Sequence, residues 1–476
     1  MSARTLNAFR VIPVRSIVFS SISPARLFFA FGRGPVAATT LFCLVCTTFA
    51  QEAVQPRNNE SSQQAPLPLT DMTAPQNSVS SPPASPGLAA TPARSVPTQE
   101  VVTDRAVAET PRRFKYTFGV TARGVYDDNI FNSSSNPVSA YYFTIEPFIS
   151  LGLGDPADGF NFLNFIYRPS AFFFVDYSSN DSVQQIIHLD AQRRFSRLTL
   201  SLLEDIQLLD GTDLNNLNDP SGNQANTDIS GRNRHQIYDT RLSGSYELTG
   251  KTFLSGGGRF SANEYPSAIS SQILSGNFFI NYNYSKKLVL GVGPTVGYNT
   301  NGPSINDQTF EQASVRLTYS ATAKINVSAS VGVEFRQFAS NVASNTSPVY
   351  ELDASYRPFD GTLLSLRGSR DTINSASLAG QSYFDTTINF SLTQRLMQRF
   401  FFGFAIGYTN TNYFSTVSGV SATRNDNFYY IVPSVDFNVT RFWTFGAYYV
   451  HREDSSSVSF FSFTDNQLGL RTQLTF

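Results

Sequence analysis

Thiols are nearly missing from this chain: of its 476 residues two are cysteine, three are histidine and one is tryptophan. So small a set excludes a disulfide scaffold and a cysteine-ligated metal protein. Charge is scarce too, at 15% Asp, Glu, Lys and Arg, where soluble domains carry about 25%. Beyond the N-terminus no window reaches the ~18 consecutive apolar residues of a membrane helix. What is plentiful is aromatic surface, with 42 Phe and 22 Tyr in a chain that is 41% hydrophobic, and this excludes disorder for most of its length. Many aromatics, few charges and no spanning helix point to a membrane β-barrel, one of the two structures that satisfy every backbone polar group inside lipid.

Residues 1–50 contain Arg4, Arg10, Arg15, Arg26 and Arg33 and no acid, and end in an apolar, small-residue run from Val36 to Thr48 before Phe49-Ala50-Gln51. A charged region followed by an apolar one reads as an export signal cleaved near Ala50. The stretch before Arg26, with Pro13 and Pro24, is long for such a signal and fits a downstream true start or an extended leader. Both cysteines, Cys43 and Cys46, fall inside it, so the mature chain has no thiol, as suits an oxidising compartment. Lipidation at Cys46 is the rival reading, disfavoured by the bulky Val45 before it. Removal of the leader takes the formal net charge from -1 to near -6, and nothing here indicates a nucleic-acid partner.

From 51 to 113 the chain holds ten of its 24 prolines, with much Ser, Gln, Thr and Ala and almost no aromatic residue. Such a segment cannot bury a core and reads as a disordered periplasmic tether, either a plain spacer or a docking element.

After Phe114 the dominant signal is period two. Leu468, Leu470, Leu474 and Phe476 share one face of a strand, with Thr472 as the polar exception, opposite Gln467, Gly469, Arg471, Gln473 and Thr475. The segment 325–336 alternates the same way, apolar Ile325 to Phe335 against polar Asn326 to Arg336. Alternation alone also fits a soluble sandwich; connection length separates the two. Eighteen candidate strands are expected, near 114–126, 140–152, 160–176, 183–194, 197–208, 236–248, 251–262, 272–284, 287–299, 310–321, 324–338, 348–356, 362–371, 382–393, 399–411, 427–439, 441–451 and 465–476. Tight connections such as Ser285-Lys286-Lys287 follow even strands and longer polar ones follow odd strands. That is the up-and-down outer-membrane arrangement, with both termini periplasmic. Pro147, Pro169, Pro294 and Pro433 lie inside these strands and each needs a bulge or a strand end, so a count of sixteen with merged strands stays open. The chain ends on Phe476 inside its last strand, which resembles the signal by which the outer-membrane assembly machinery recognises its barrels.

The segment Tyr126-Asp127-Asp128-Asn129-Ile130-Phe131 resembles the opening of the type 2 family of β-barrel porins, outer-membrane barrels some of which occur with exopolysaccharide-export systems. The resemblance runs loosely on through Tyr167-Arg168-Pro169-Ser170, Asp176-Tyr177 and the strand with His188, and leaves residues 1–113 uncovered. It implies a porin-like channel or an export duct working with exopolysaccharide export components, and supplies no catalytic residue. Read physically, Asp127, Asp128 and Asn129 are short polar residues that can turn the chain at a strand end; a cation or sugar contact at the mouth is the functional alternative.

The phase opposite the apolar one carries Arg123, Glu146, Arg168, Arg241, Arg259, Arg316, Glu334, Arg336, Glu351, Asp353, Arg367, Asp385, Asp436 and Arg471. Lys or Arg on a lipid face costs ~2–4 kcal/mol at mid-bilayer, so these are expected to line a lumen and select solutes. A wall of 16–18 strands leaves an aqueous channel, although a loop can obstruct it. His188 shares a face with Asp190, a pair able to orient a base, but no nucleophile accompanies it and a plain wall histidine is the better reading. His235 and His451 lie near the rim without metal-ligand partners at useful spacing, and no cofactor, resident metal or catalytic residue is expected. The loop from Asp210 to Gln236 is rich in Asp and Asn but lacks the spacing of a calcium loop; it can also fold inward and narrow the pore. The expectation is a channel for hydrophilic solutes or exported polysaccharide. Envelope anchoring or adhesion through loops and tether is the alternative. Association into homo-oligomers is compatible with the lipid-facing surface, since a subunit face is equally apolar.

Overall fold

The computed structural model describes residues 114–154, 161–210, 227–302, 306–322, 324–340 and 342–476. The leader, the Pro-rich tether and most of the Asp210–Gln236 loop lie outside them. Eighteen antiparallel strands follow one another around a ring: β1(Phe114–Asp127), β2(Ala140–Gly154), β3(Phe162–Phe174), β4(Ser182–Arg194), β5(Leu198–Leu209), β6(His235–Glu247), β7(Thr252–Glu264), β8(Ser271–Asn283), β9(Leu288–Asn301), β10(Gln308–Thr322), β11(Ile325–Phe338), β12(Asn345–Tyr356), β13(Thr362–Asn374), β14(Gln381–Leu396), β15(Phe400–Ser415), β16(Asn425–Asn438), β17(Trp443–Ser456) and β18(Phe463–Thr475). Each pairs with its neighbours in sequence, and β1 closes the ring on β18. All eighteen expected strands are present, with ends displaced by up to five residues. The long connections lie at one rim and the short turns at the other.

Closure is made by the last residues of the chain. Gly119 to Asp127 pair with Thr475 to Gln467, and Phe476 exchanges backbone hydrogen bonds with Phe118, N–H to carbonyl at 2.7 Å and 3.0 Å. The Phe476 ring stacks on Phe442 at 6.1 Å. A closed ring leaves no unpaired strand edge, which is what lets a sheet live in lipid.

The prolines are accommodated without merging strands. Pro147 and Pro169 face each other across β2 and β3, and that ladder is interrupted between Ile145–Ala171 and Ile149–Tyr167. Pro147 still opposes Val120 in the ladder with β1. Pro433 interrupts the β16–β17 ladder between Ile431 and Ser434, and Pro294 sits in the gap of the β8–β9 ladder between Val292 and Thr295. Proline lacks the ladder N–H, so each removes bonds on one side and keeps its other neighbour.

One face of the wall is apolar and exposed. Along β1 it shows Phe114, Tyr116 and Phe118 near the short-turn rim and Tyr126 near the long-loop rim, with Val120, Ala122 and Gly124 between them. Along β9 it shows Leu290, Val292, Val296 and Tyr298. Aromatic residues near both rims with smaller apolar residues between them match the girdles and apolar band of a membrane barrel. Trp443 sits on this face at the short-turn rim and donates its indole N–H to Thr472 Oγ1 at 2.8 Å.

Candidate channel and its mouth

The opposite face holds the buried polar residues, and strand register decides which of them meet. Directly opposed residues on one face of a sheet stand ~5 Å apart, closer than i and i+2 neighbours along a strand. Arg123 of β1 donates to Glu146 of β2 at 2.7 Å, and Thr144 donates to the other carboxylate oxygen at 2.7 Å. Arg168 of β3 lies on the same face, within electrostatic reach of both. Asp436 of β16 receives both arms of Arg471 from β18, the Nε contact at 2.7 Å. The fork reaches across β17 because Gly446 stands between them; a Cβ there would lie 2.0 Å from Asp436 Oδ1.

On the far wall Asp239 of β6 takes Arg241 at 2.6 Å and Arg259 at 2.9 Å, a single carboxylate serving two guanidiniums. Glu334 takes Arg336 at 2.7 Å, and Arg336 also donates to Gln308. Arg367 reaches Asp353 at 3.0 Å and Glu351 at 3.7 Å. Asp385 accepts from Thr387 and Thr411. Arg316 has amide and hydroxyl partners, Asn281 at 2.9 Å and Ser255 at 2.5 Å, and lies 4.1 Å over the Phe279 ring. All fourteen charged residues singled out from the sequence thus share this face.

His188 is a wall histidine bonded to a neighbour, though not to the same-strand acid. Its Nδ1 lies 2.7 Å from Asp205 on β5, the residue opposite it in the ladder, and Asp190 is not its partner. Cross-strand register brings Asp205 nearer than the same-strand position can. His235 stacks on Tyr265 with ring centroids 5.3 Å apart, and His451 meets Asn466 at 2.8 Å on the opposite, outward phase. The Tyr126–Phe131 segment turns the chain as anticipated: the Asn129 N–H donates to Asp127 Oδ1 at 2.8 Å, and the Asn129 side chain bonds Ser133 and Thr464. Tyr126 packs on Tyr141, Phe131 packs on Tyr177, and Ile130 is buried.

The long-loop rim is bridged. The β5–β6 loop, where described from Thr227, leaves β6 and contacts strands on the far side of the ring. The Asp228 carboxylate accepts from Ser375 Oγ at 2.8 Å, the Ala376 N–H at 2.5 Å, Ser377 Oγ at 3.0 Å and Tyr413 OH at 2.8 Å. Arg424 donates to the backbone carbonyls of Thr227 and Asp228 and lies 4.6 Å over the Tyr413 ring. Ser230 donates to the Phe460 carbonyl, and Arg232 lies 4.7 Å over the Phe174 ring. Burial lowers the Arg232 pKa, and Asp210 opposes that shift.

The β13–β14 hairpin leans in to meet this strap. The β12–β13 ladder runs from Tyr350 to Tyr356 only, stopping two residues from Pro348. Beyond it Thr372 donates to Glu334 at 3.0 Å, and Asn374 bonds Gln308 and Asn299, residues three and four strands away around the ring. The Ile269 N–H donates to the Ala376 carbonyl at 2.8 Å. Sequence reasoning missed Asp205 and Asp239, which the alternation pattern offered as same-phase acids. It named Asp228 only as one oxygen of an acidic loop that can fold inward, and missed its partners Tyr413 and Arg424, the latter reaching up to 197 positions along the chain.

No family model matches the chain, and no curated protein matches it. Solved outer-membrane barrels resemble it in part. The Pseudomonas aeruginosa OccK2 (OpdF) structure in complex with glucuronate is 11% identical, with a TM-score of 0.39 over 76% of this chain and 98% of that one. OpdK of the same organism gives 10%, 0.38, 76% and 99%, and OccAB3 of Acinetobacter baumannii gives 9%, 0.38, 76% and 100%. The eighteen-strand closure rests on this chain's own register.

Proposed function

We propose that this chain is a passive channel of an outer membrane, passing small hydrophilic solutes through the polar face of its barrel and performing no chemistry of its own. The observation that carries the reading is the concentration of charge on one strand phase: fourteen acids and arginines on the face that holds the buried polar groups, opposite a mainly apolar face with aromatic residues near both rims. Acids and guanidiniums opposed across a lumen set up a transverse field that orients polar solutes. The proposed placement puts the short turns and both termini in the periplasm, with Phe476 as the residue read by the assembly machinery.

Small solutes rank ahead of exported polysaccharide because of the strap. The Thr227–Arg232 segment, held at Asp228, spans the long-loop rim, and a growing polymer would need it released. The test is single-channel conductance of the folded barrel in planar bilayers, with oligosaccharides of increasing size and salt gradients. Stable open steps blocked by small sugars are expected. A silent, correctly folded barrel that conducts only with an export partner would move the reading to a polysaccharide duct.

A further inference from the structure

At the long-loop end of the closing seam three carboxylates converge. Asp127 ends β1, Asp128 follows it, Asp465 belongs to β18, and one oxygen from each lies within 4.8 Å of the others. The turn explains only part of this arrangement. One Asp127 oxygen caps Asn129, and Asp128 receives the Asn466 N–H and side-chain amide, both at 2.7 Å. Asp465 Oδ2 receives Arg452, at 2.7 Å from Nε, and the Gln467 amide at 3.0 Å. Its Oδ1 meets no donor although the residue is 0% exposed, and its carboxyl lies against that of Asp127.

Two neutral side chains add an independent observation. Gln467 sits between Asp127 and Asp465 and is fully buried, yet its carbonyl oxygen has no donor. Tyr142, also fully buried, lies within electrostatic reach of Tyr448 first and then of Asp127 and Asp465, and its hydroxyl has no hydrogen-bond partner among the described residues. A buried polar atom left unpaired costs ~1–3 kcal/mol, so several at one place signal something that answers them all. Against three carboxylates, Arg452 supplies the one guanidinium bonded within the group; Arg232, tied to Asp210, is within electrostatic reach of Asp127.

We propose that Asp127, Asp128 and Asp465, with the Gln467 carbonyl and the Tyr142 hydroxyl, bind a hard divalent cation of the calcium class that clamps β1 to β18. Every available donor is oxygen, the set that calcium takes at 2.3–2.6 Å. Imidazole and thiolate, which would favour zinc or copper, are absent from the group. The same oxygens would bridge β1 and β18 where the ring shuts.

The probes are calcium and luminescent terbium, added to the folded full-length barrel in detergent. Tyrosine-sensitised terbium emission should saturate at one site and be displaced by calcium. Calcium should also raise the unfolding midpoint, as mass action on a native-state site requires. Asp465→Asn should weaken both responses roughly tenfold or more. If that variant does not fold, Asp128→Asn at the more exposed edge supplies the same reading. No saturable emission, or equal emission from wild type and variants, overturns the site. So does a barrel that Asp465→Asn stabilises while calcium leaves the wild type unmoved, because Asp127 and Asp465 would then share a proton.

Discussion

The two seams of this barrel are built on opposite plans. Where β1 meets β18 the ladder continues unbroken to Asp127, and side chains bond across it as well, Asp128 to Asn466 and Asn129 to Thr464. Where β12 meets β13 the ladder stops at Tyr350, and the strand ends part, one staying in the wall and the other bending across the mouth. The charge pairs follow the same division. Arg471 on the closing seam and its partner Asp436, two strands along, have side chains 3% and 5% exposed, while Arg367 and Asp353 on the other seam are 15% and 27% exposed. One region is fastened; the other is loosened so that a hairpin can serve as a bracket for the strap.

Four substitutions test that contrast, beginning with the largest effect. Asp436→Ala leaves a buried guanidinium without its carboxylate and should cost about 3–5 kcal/mol, read as a fall in the urea midpoint of the barrel refolded into lipid vesicles. Asp353→Ala, which leaves Arg367 a second acid and partial hydration, should cost about 1 kcal/mol or less. Equal losses would erase the distinction between the regions. Next, Asp228→Ala removes the acceptor of four hydrogen bonds that hold the strap. A loss of roughly 3 kcal/mol, about a hundredfold in the strap's equilibrium, should appear as larger open-channel steps and a higher size limit for blocking sugars. Unchanged conductance would mean that the strap does not govern the path. The last, Thr472→Val, frees the indole of Trp443 and should cost about 0.5–1.5 kcal/mol, with a shift in the emission of the single tryptophan.

Much of the barrel was readable from the sequence because period-two alternation and turn residues are local signals. Val120, Ala122 and Gly124 against Thr121 and Arg123 declare a strand and its facing without reference to any other part of the chain. The fourteen charged positions followed from that phase alone. What alternation does not carry is register. Nothing local says that His188 faces Asp205 and not Asp190, or that Arg241 and Arg259 share Asp239, since a ladder offset is set by the turns and by both strands together. The strap was less legible still. Asp228 sits in a loop whose composition fits solvent exposure, and its partners Tyr413 and Arg424 come from the opposite side of the ring. The aspartates of Tyr126–Phe131 illustrate a mixed case: their turn-forming role was evident, but Asp465, 338 positions beyond Asp127, was not.

The pairing of β1 with β18 also orders events in time. Every other strand pairing joins neighbours in sequence, so hairpins can form as soon as their second strand is available. Gln467, however, reaches Asp127 across 340 positions of chain. Until the last strand arrives, the first presents a row of unsatisfied amides and carbonyls to whatever it meets, the kind of edge that templates aggregation. Contacts of such separation also form slowly, because loop closure must be completed before they stabilise anything. One margin of β1 therefore stays open until β18 pairs with it, and the ring can shut only once that strand is in place.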